Sequence, residues 1–108
     1  MSERRKDIVE RSRQFAIRII KIAGRLPKTP AGFVTAEQLI GCGTSVGANT
    51  VEAQDASSKR DFINKMSISL RECRESKYWL SIIKEAGLLN GEDLDLIIVE
   101  SDELCAIY

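Results

Sequence analysis

Residues 36–88 decide the fold, and they read AEQLIGCGTSVGANTVEAQ (36–54), DASS (55–58), KRDFINKMSISLRECRESKYWLSIIKEA (59–86) and Gly87-Leu88. Both long runs carry apolar or small residues at steps of three and four, which is the period of an α-helix. The short polar break between them leaves room only for a tight reversal of the chain. The stretch therefore predicts two long helices packed antiparallel.

The ends of these two helices carry recognisable signals. Helix two is predicted from Thr35, as an N-cap, to about Gln54, with one inward stripe. That stripe consists of Leu39, Gly43, Val46, Thr50 and Ala53. Helix three is predicted to begin after a cap at Ser57 or Ser58 and to stop at Gly87, which suits the left-handed position after a helix.

The flanking segments each predict one more helix. Helix one runs from Glu3 to about Leu26, where the following proline disfavours helical geometry. Helix four begins near Glu92, after the turn Leu89-Asn90-Gly91, and ends near Tyr108. No alternating strand pattern occurs, so residues 1–108 are predicted to form one all-α domain, an antiparallel up-down four-helix bundle.

Composition narrows the function without naming it. The 108 residues are 44% hydrophobic and 30% charged, with 16 basic and 16 acidic side chains. Residues 1–54 carry nine basic and five acidic side chains, and residues 55–108 carry seven and eleven, so the two halves have net charges of +4 and −4. The chain is not a polyelectrolyte, but its charge is unevenly distributed.

One residue type that many catalytic sites use is missing. The chain has no histidine, which removes the usual general base and the common nucleophile pairings. The glycine-rich run 41–47, GCGTSVG, lacks the spacing and the preceding strand of a phosphate-binding loop, so it predicts close helix packing instead. The three cysteines lie far apart at apolar positions and are expected to be reduced core residues. We expect no enzyme, no cofactor and no metal.

A row of cations occupies one face of helix one. It consists of Arg11, Arg18, Lys21, Arg25 and Lys28. Such a row can contact the phosphates of RNA or DNA. It can equally be a solvated face that is partly neutralised by the many acids of helix four, which neighbours helix one in an up-down bundle. Both interpretations remain open from the sequence.

A polar stripe lies beside the inward stripe of helix two, and an aromatic pair lies on helix three. The polar stripe contains Gln38, Ser45, Asn49 and Glu52. It either faces water or is buried against a second chain that satisfies its hydrogen bonds. Tyr78 and Trp79 cannot both point into one small core, and an exposed aromatic residue there would suggest a subunit interface.

Location follows from what the sequence does not contain. The start, Met-Ser-Glu-Arg-Arg-Lys, is not a signal peptide, and no apolar run approaches the roughly 20 residues of a membrane span. A cytoplasmic location is the expectation.

Three segments together resemble a known bacterial family. They are TSVGANTVE (44–52), RDFI (60–63) and ESKYWL (75–80). The pattern is similar to the four-helix-bundle family first met as reading frames inside intervening sequences of 23S ribosomal RNA genes. That family includes the accessory variability protein of diversity-generating retroelements.

The resemblance implies a non-enzymatic bundle that assembles as a ring-shaped homopentamer. Its retroelement branch is basic and binds nucleic acid and a reverse transcriptase, whereas this chain has a net charge of zero. The matching polar positions are Ser45, Asn49, Glu52 and Glu75, and Tyr78, Trp79 and Leu80 match the packing core. The expected function is a homo-oligomeric, nucleic-acid-associated binding module, and the alternative is a protein–protein adaptor or scaffold.

Overall fold

Four α-helices and no strands make up the computed structural model, which describes residues 1–108. The helices are α1 (Glu3–Ala23), α2 (Pro30–Gln54), α3 (Lys59–Glu85) and α4 (Glu92–Ile107). The number of helices, their order and the all-α class agree with the sequence prediction.

Hydroxyl side chains start the first three helices. The side chains of Ser2, Thr29 and Ser58 each accept a hydrogen bond from the backbone N–H three residues later. Helix α4 begins instead after Gly91, at φ 122°, and its first turn carries three acids that suit the positive end of the helix dipole. Because these contacts fix where each helix begins, a connection of only a few residues is enough to separate one helix from the next.

The N-cap of helix α2 lies six residues earlier than predicted, so the assignment of Thr35 as its N-cap was wrong. Thr29 is the cap, and Pro30 occupies the first turn, where its missing N–H costs nothing. Thr35 instead lies buried inside the helix. Helix α1 ends at Ala23 rather than near Leu26, with Gly24 as its C-cap.

The stop after α3 has the predicted geometry. Gly87 has a φ of 70°, and the N–H of Leu88 donates to the carbonyl oxygen of Ile83 at 3.0 Å. The Leu88 side chain then packs against the hydrophobic core. This is the glycine-terminated helix end that the sequence indicated.

Each helix packs against the next one along the chain, and α4 packs back against α1. The pairs Arg11–Glu100 and Arg25–Asp93 run in opposite directions along α1 and α4, which makes this last contact antiparallel as well. The result is an up-down four-helix bundle about 44 Å long.

The core is formed by the predicted apolar faces. Its largest fully buried side chains are Phe15, Ile19, Leu39, Val46, Leu80, Ile83, Leu94, Ile97 and Leu104. All five residues of the inward stripe of α2 are buried. Trp79 packs against the core, whereas Tyr78 stays 55% exposed. The two aromatic residues therefore do not both point into the core, as the sequence predicted.

One layer of the core is polar. Thr50 and Ser69 both donate to the carbonyl oxygen of Val46, and the hydroxyl of Thr50 also contacts those of Ser69 and Tyr108. Ser12 on α1 is buried beside this layer and lowers the pKa of Tyr108 slightly. Burial is the larger effect and raises that pKa above its ordinary value. Hydroxyls from the first three helices and from the C-cap of α4 therefore meet at one level of the bundle.

Two glycines of α2 let α1 approach closely. A Cβ at Gly43 would lie 2.7 Å from the Cγ2 of Ile19, and one at Gly47 would lie 3.1 Å from the carbonyl oxygen of Ser12. Gly41, by contrast, faces open space. The predicted role of the run 41–47 in helix packing is therefore correct for the second and third glycines and not for the first.

Gly43→Ala is expected to lower the free energy of unfolding by about 1–3 kcal/mol, because the new methyl group overlaps a β-branched core side chain. The matched control is Gly41→Ala in the same helix, which should raise stability by up to about 1 kcal/mol through helix propensity alone. Urea unfolding followed by circular dichroism measures both. Equal effects of the two substitutions would contradict the close contact.

Tyr108→Phe is expected to cost about 1 kcal/mol at neutral pH, because it removes a hydrogen bond from the buried polar layer. The pKa of Tyr108 is higher in the folded chain than in the unfolded one, so its contribution is complete below the ordinary value of 10.0 and is lost as the pH rises through the folded value. Unfolding curves from neutral to alkaline pH should therefore converge for the two proteins. A difference that widens with pH would refute this assignment.

Candidate nucleic-acid interface

The basic face of α1 divides into cations that α4 neutralises and cations that it does not. Arg11 belongs to the first group, since its Nη2 lies 2.6 Å from one carboxylate oxygen of Glu100 and its Nε lies 3.3 Å from the other. Glu103 adds a contact at 3.6 Å. The pKa of Arg11 is raised, chiefly by the hydrogen bond to Glu100. Arg11 thus holds α4 against α1 and has little freedom to bind a ligand.

Arg25 forms a looser pair. Its Nη1 lies 3.1 Å from Asp93 at the start of α4, and both side chains are largely exposed. Exposed pairs of this kind contribute only about 0–1 kcal/mol and are screened by salt. Arg25 can therefore exchange its carboxylate partner for a phosphate at small cost.

Arg18 and Lys21 form no ion pair in the structure. With Arg25 they line a pocket of about 210 Å³ near the C-terminal end of α1, closed on the α4 side by Asp93 and Ile97. We call this the basic pocket. It presents three cationic side chains and one carboxylate, so it can hold an anion, and its two guanidinium groups suit the oxygens of a phosphate.

Lys28 is not part of this pocket. It lies exposed in the connection between α1 and α2 and has no ion-pair partner. Of the five predicted cations, the structure therefore brings Arg18, Lys21 and Arg25 together. It ties Arg11 to α4 and leaves Lys28 apart.

Most members of the polar stripe on α2 hydrogen-bond within the chain. The Ser45 hydroxyl donates to the carbonyl oxygen of Gly41, and the Asn49 amide donates to that of Ser45. Glu52 pairs with Lys65 of α3 at 3.1 Å. Gln38 is exposed. The chain itself thus satisfies Ser45, Asn49 and Glu52, and Gln38 faces solvent.

Glu75 and Tyr78 lie on α3 and are both exposed. The Tyr78 ring meets Trp79 edge-on, with 5.4 Å between the ring centroids. More than half of the Tyr78 side chain remains open to solvent, so it offers an aromatic contact outside the core.

The cysteines lie where thiols are least reactive. Cys42 and Cys73 are buried, and Cys105 is half-buried. Burial raises the pKa of Cys42 to about 11 and that of Cys73 further still. Both thiols therefore stay protonated at neutral pH and serve as small apolar core residues.

Sequence reasoning missed one feature of the surface, a shallow groove between α1 and α2. It is lined by Val9 and Ala16 on α1 and by Thr44, Ala48 and Val51 on α2. On α1 the pattern continues through Arg13 and Ile20 at steps of three and four, and that second periodicity was visible in the sequence. It was overlooked because small residues such as alanine and threonine do not mark a face as apolar.

The fold and this surface define a class of protein, a small four-helix bundle with one localised basic pocket. The family model described as 23S rRNA-intervening sequence protein matches residues 4–108. The chain belongs to that family, as the three resembling segments indicated.

One solved structure supports the same family assignment. A protein of unknown function from the S23 ribosomal protein family of Bacteroides thetaiotaomicron is 34% identical in sequence. It superimposes with a TM-score of 0.88 over 96% of this chain and 93% of that one. No curated protein matches the chain. Neither the family description nor that of the solved structure names an enzymatic activity.

None of the four helices combines the length and the apolar character needed to cross a lipid bilayer.

Proposed function

We propose that the protein is a non-enzymatic, homo-oligomeric binding module that associates with nucleic acid through the basic pocket. The observation that carries the proposal is the grouping of Arg18, Lys21 and Arg25 around a single weakly held carboxylate, Asp93. The family resemblance supports the same class of ligand, because its retroelement branch binds nucleic acid.

The chemistry of the pocket fits a phosphate backbone better than a base. Guanidinium and ammonium groups neutralise phosphates without reading sequence, so binding should be nonspecific and should weaken with salt. Three phosphate contacts predict a salt slope of about −3 on duplex DNA and about −2 on single strands. The net charge of zero confines the attraction to this face, because no general positive field exists to help.

Assembly would strengthen such a weak site. One pocket with three cations binds feebly, but several copies on one particle engage one strand together, and the effective concentration of the later pockets is high. A homo-oligomer, which the family resemblance implies as a pentamer, therefore belongs to the proposed function.

Reversing two charges in the pocket tests the nucleic-acid role. Arg18→Glu with Lys21→Glu should abolish binding of a labelled single-stranded RNA in fluorescence anisotropy at about 50 mM salt. The matched control, Arg71→Glu with Arg74→Glu on α3, changes the net charge equally and should bind almost as the parent chain does. An equal loss in both variants would mean that total charge, not the pocket, controls binding. Absence of binding by the parent chain would refute the proposal.

Removing the carboxylate of the pocket gives the opposite prediction. Asp93→Asn frees Arg25 and should tighten RNA binding by several fold at low salt, because one repulsive charge is lost and one cation is released. Asp55→Asn, which makes the same change at the opposite end of the bundle, is the control. A weaker affinity after Asp93→Asn would show that phosphate does not enter this pocket.

The second candidate function is a protein–protein adaptor, and the exposed ring of Tyr78 favours it. The first partner to test is a reverse transcriptase, because the family resemblance implies one. Retention of such a partner on the immobilised chain after nuclease treatment, with loss on Tyr78→Ala, would support the adaptor. Retention that disappears with the nucleic acid would leave the first function standing.

A further inference from the structure

Two apolar strips, one between α1 and α2 and one on α4, are left uncovered by the fold. The first is the groove between α1 and α2, with a volume of about 300 Å³. We define this α1–α2 groove by Val9, Ala16, Thr44, Ala48 and Val51. Apart from Gly47 in its floor, the buried residues of the same helices point away from the groove into the core, so nothing within the chain fills it.

The groove extends toward the other end of α2. Ile20 is 51% exposed and Ile40 is 37% exposed. From Ile40 to Val51 the helix rises about 16 Å, so exposed apolar side chains recur on this face over about three turns of α2. An exposed apolar patch of this kind on a small domain is typical of a surface that another helix covers.

The second strip is a ridge on α4. Leu96 and Val99 lie three residues apart on its outer side and are 51% and 54% exposed. Glu92 and Glu103 follow one turn away on either side, and α4 carries six acidic and no basic side chains. We call these four residues the α4 ridge. It is convex, apolar at its centre and acidic at both ends.

The two strips match in shape. A groove between two packed helices accepts a row of side chains from a third helix. The floor of the α1–α2 groove is made of small residues, including Gly47 and Ala48, which allow close approach. Leu96 and Val99 are of the size and spacing that such a groove takes.

The two strips also match in charge. Arg13 lines the groove and has no ion-pair partner within the chain. The α4 ridge supplies Glu92 and Glu103, of which Glu92 has no partner and Glu103 is only 3.6 Å away from an arginine already held by Glu100. A groove packed against its own copy would set two concave surfaces together and give Arg13 none of these carboxylates.

We propose that the α4 ridge of one copy of this chain occupies the α1–α2 groove of the next. Because the two surfaces differ, the contact is heterologous, and repeating it gives either a closed ring or an open chain of subunits. This inference rests on the homo-oligomer of the proposed function and assigns its interface to residues outside the polar stripe.

Light scattering coupled to gel filtration tests the interface with two variants. Ala48→Arg blocks the groove, and Leu96→Arg blocks the ridge, each at an exposed position where the helix tolerates the change. Each variant alone should have the mass of a single chain, 12.0 kDa. The matched control, Ile63→Arg on α3, replaces an equally exposed apolar residue and should keep the parent mass. Circular dichroism confirms that every variant is folded.

Mixing the two blocked variants is the decisive step. The groove of the Leu96→Arg chain and the ridge of the Ala48→Arg chain are both intact, so the mixture should form a heterodimer of twice the single-chain mass and no larger particle. A symmetric interface would not be rescued in this way.

Three results would overturn the inference, and they separate it from the proposed function. A parent chain that is monomeric refutes both the interface and the homo-oligomer. An oligomer that survives both substitutions refutes the interface alone, and sensitivity to Tyr78→Ala would then place the contact on α3. Monomeric variants that fail to pair on mixing refute the heterologous arrangement. If the basic-pocket variant loses RNA binding while its oligomer keeps the parent mass, the result tests the proposed function and leaves the interface intact.

Discussion

The close contact of α1 with α2 at Gly43 and Gly47 is the constraint on which the rest of the structure depends. A Cβ at Gly43 would overlap Ile19 and one at Gly47 would press on the backbone of Ser12, so glycine at both positions lets the two helices lie this close. The close approach brings Ser12 and Thr50 to one level, where Ser69 and Tyr108 join them. On the outer side it leaves a groove with a floor of small residues. One pair of glycines therefore shapes both the core and an exposed surface.

The acids of α4 neutralise some of the cations of α1 and leave others without an ion-pair partner. Arg11 is held by two oxygens of Glu100, and it connects the first helix to the last. Arg25 has one exposed partner, whereas Arg18 has none. The basic stripe of the sequence thus becomes a structural contact at one end and the basic pocket at the other. The pocket, rather than the stripe, is the unit of proposed function.

The parts of the fold that could be predicted are those that depend on residues close together in the sequence. The four helices, the stop at Gly87 and the inward stripe of α2 follow from helical period and capping, which involve residues a few positions apart. The start of α2 was misplaced because Thr35 and Thr29 are both chemically able to cap a helix. Only the position of Pro30, which favours the first turn, distinguishes them.

The sequence by itself determined the class, the helix order, the family segments and the set of cations available on α1, because each depends on neighbouring residues or on residue type. Tertiary structure alone decided which cations are neutralised and which apolar strips stay open. The contact between Arg11 and Glu100 joins residues 89 positions apart, and no local period encodes such a pairing. Whether a side chain of intermediate size, such as Ala48, is covered depends on where another helix lies, and that is set only when the whole bundle packs.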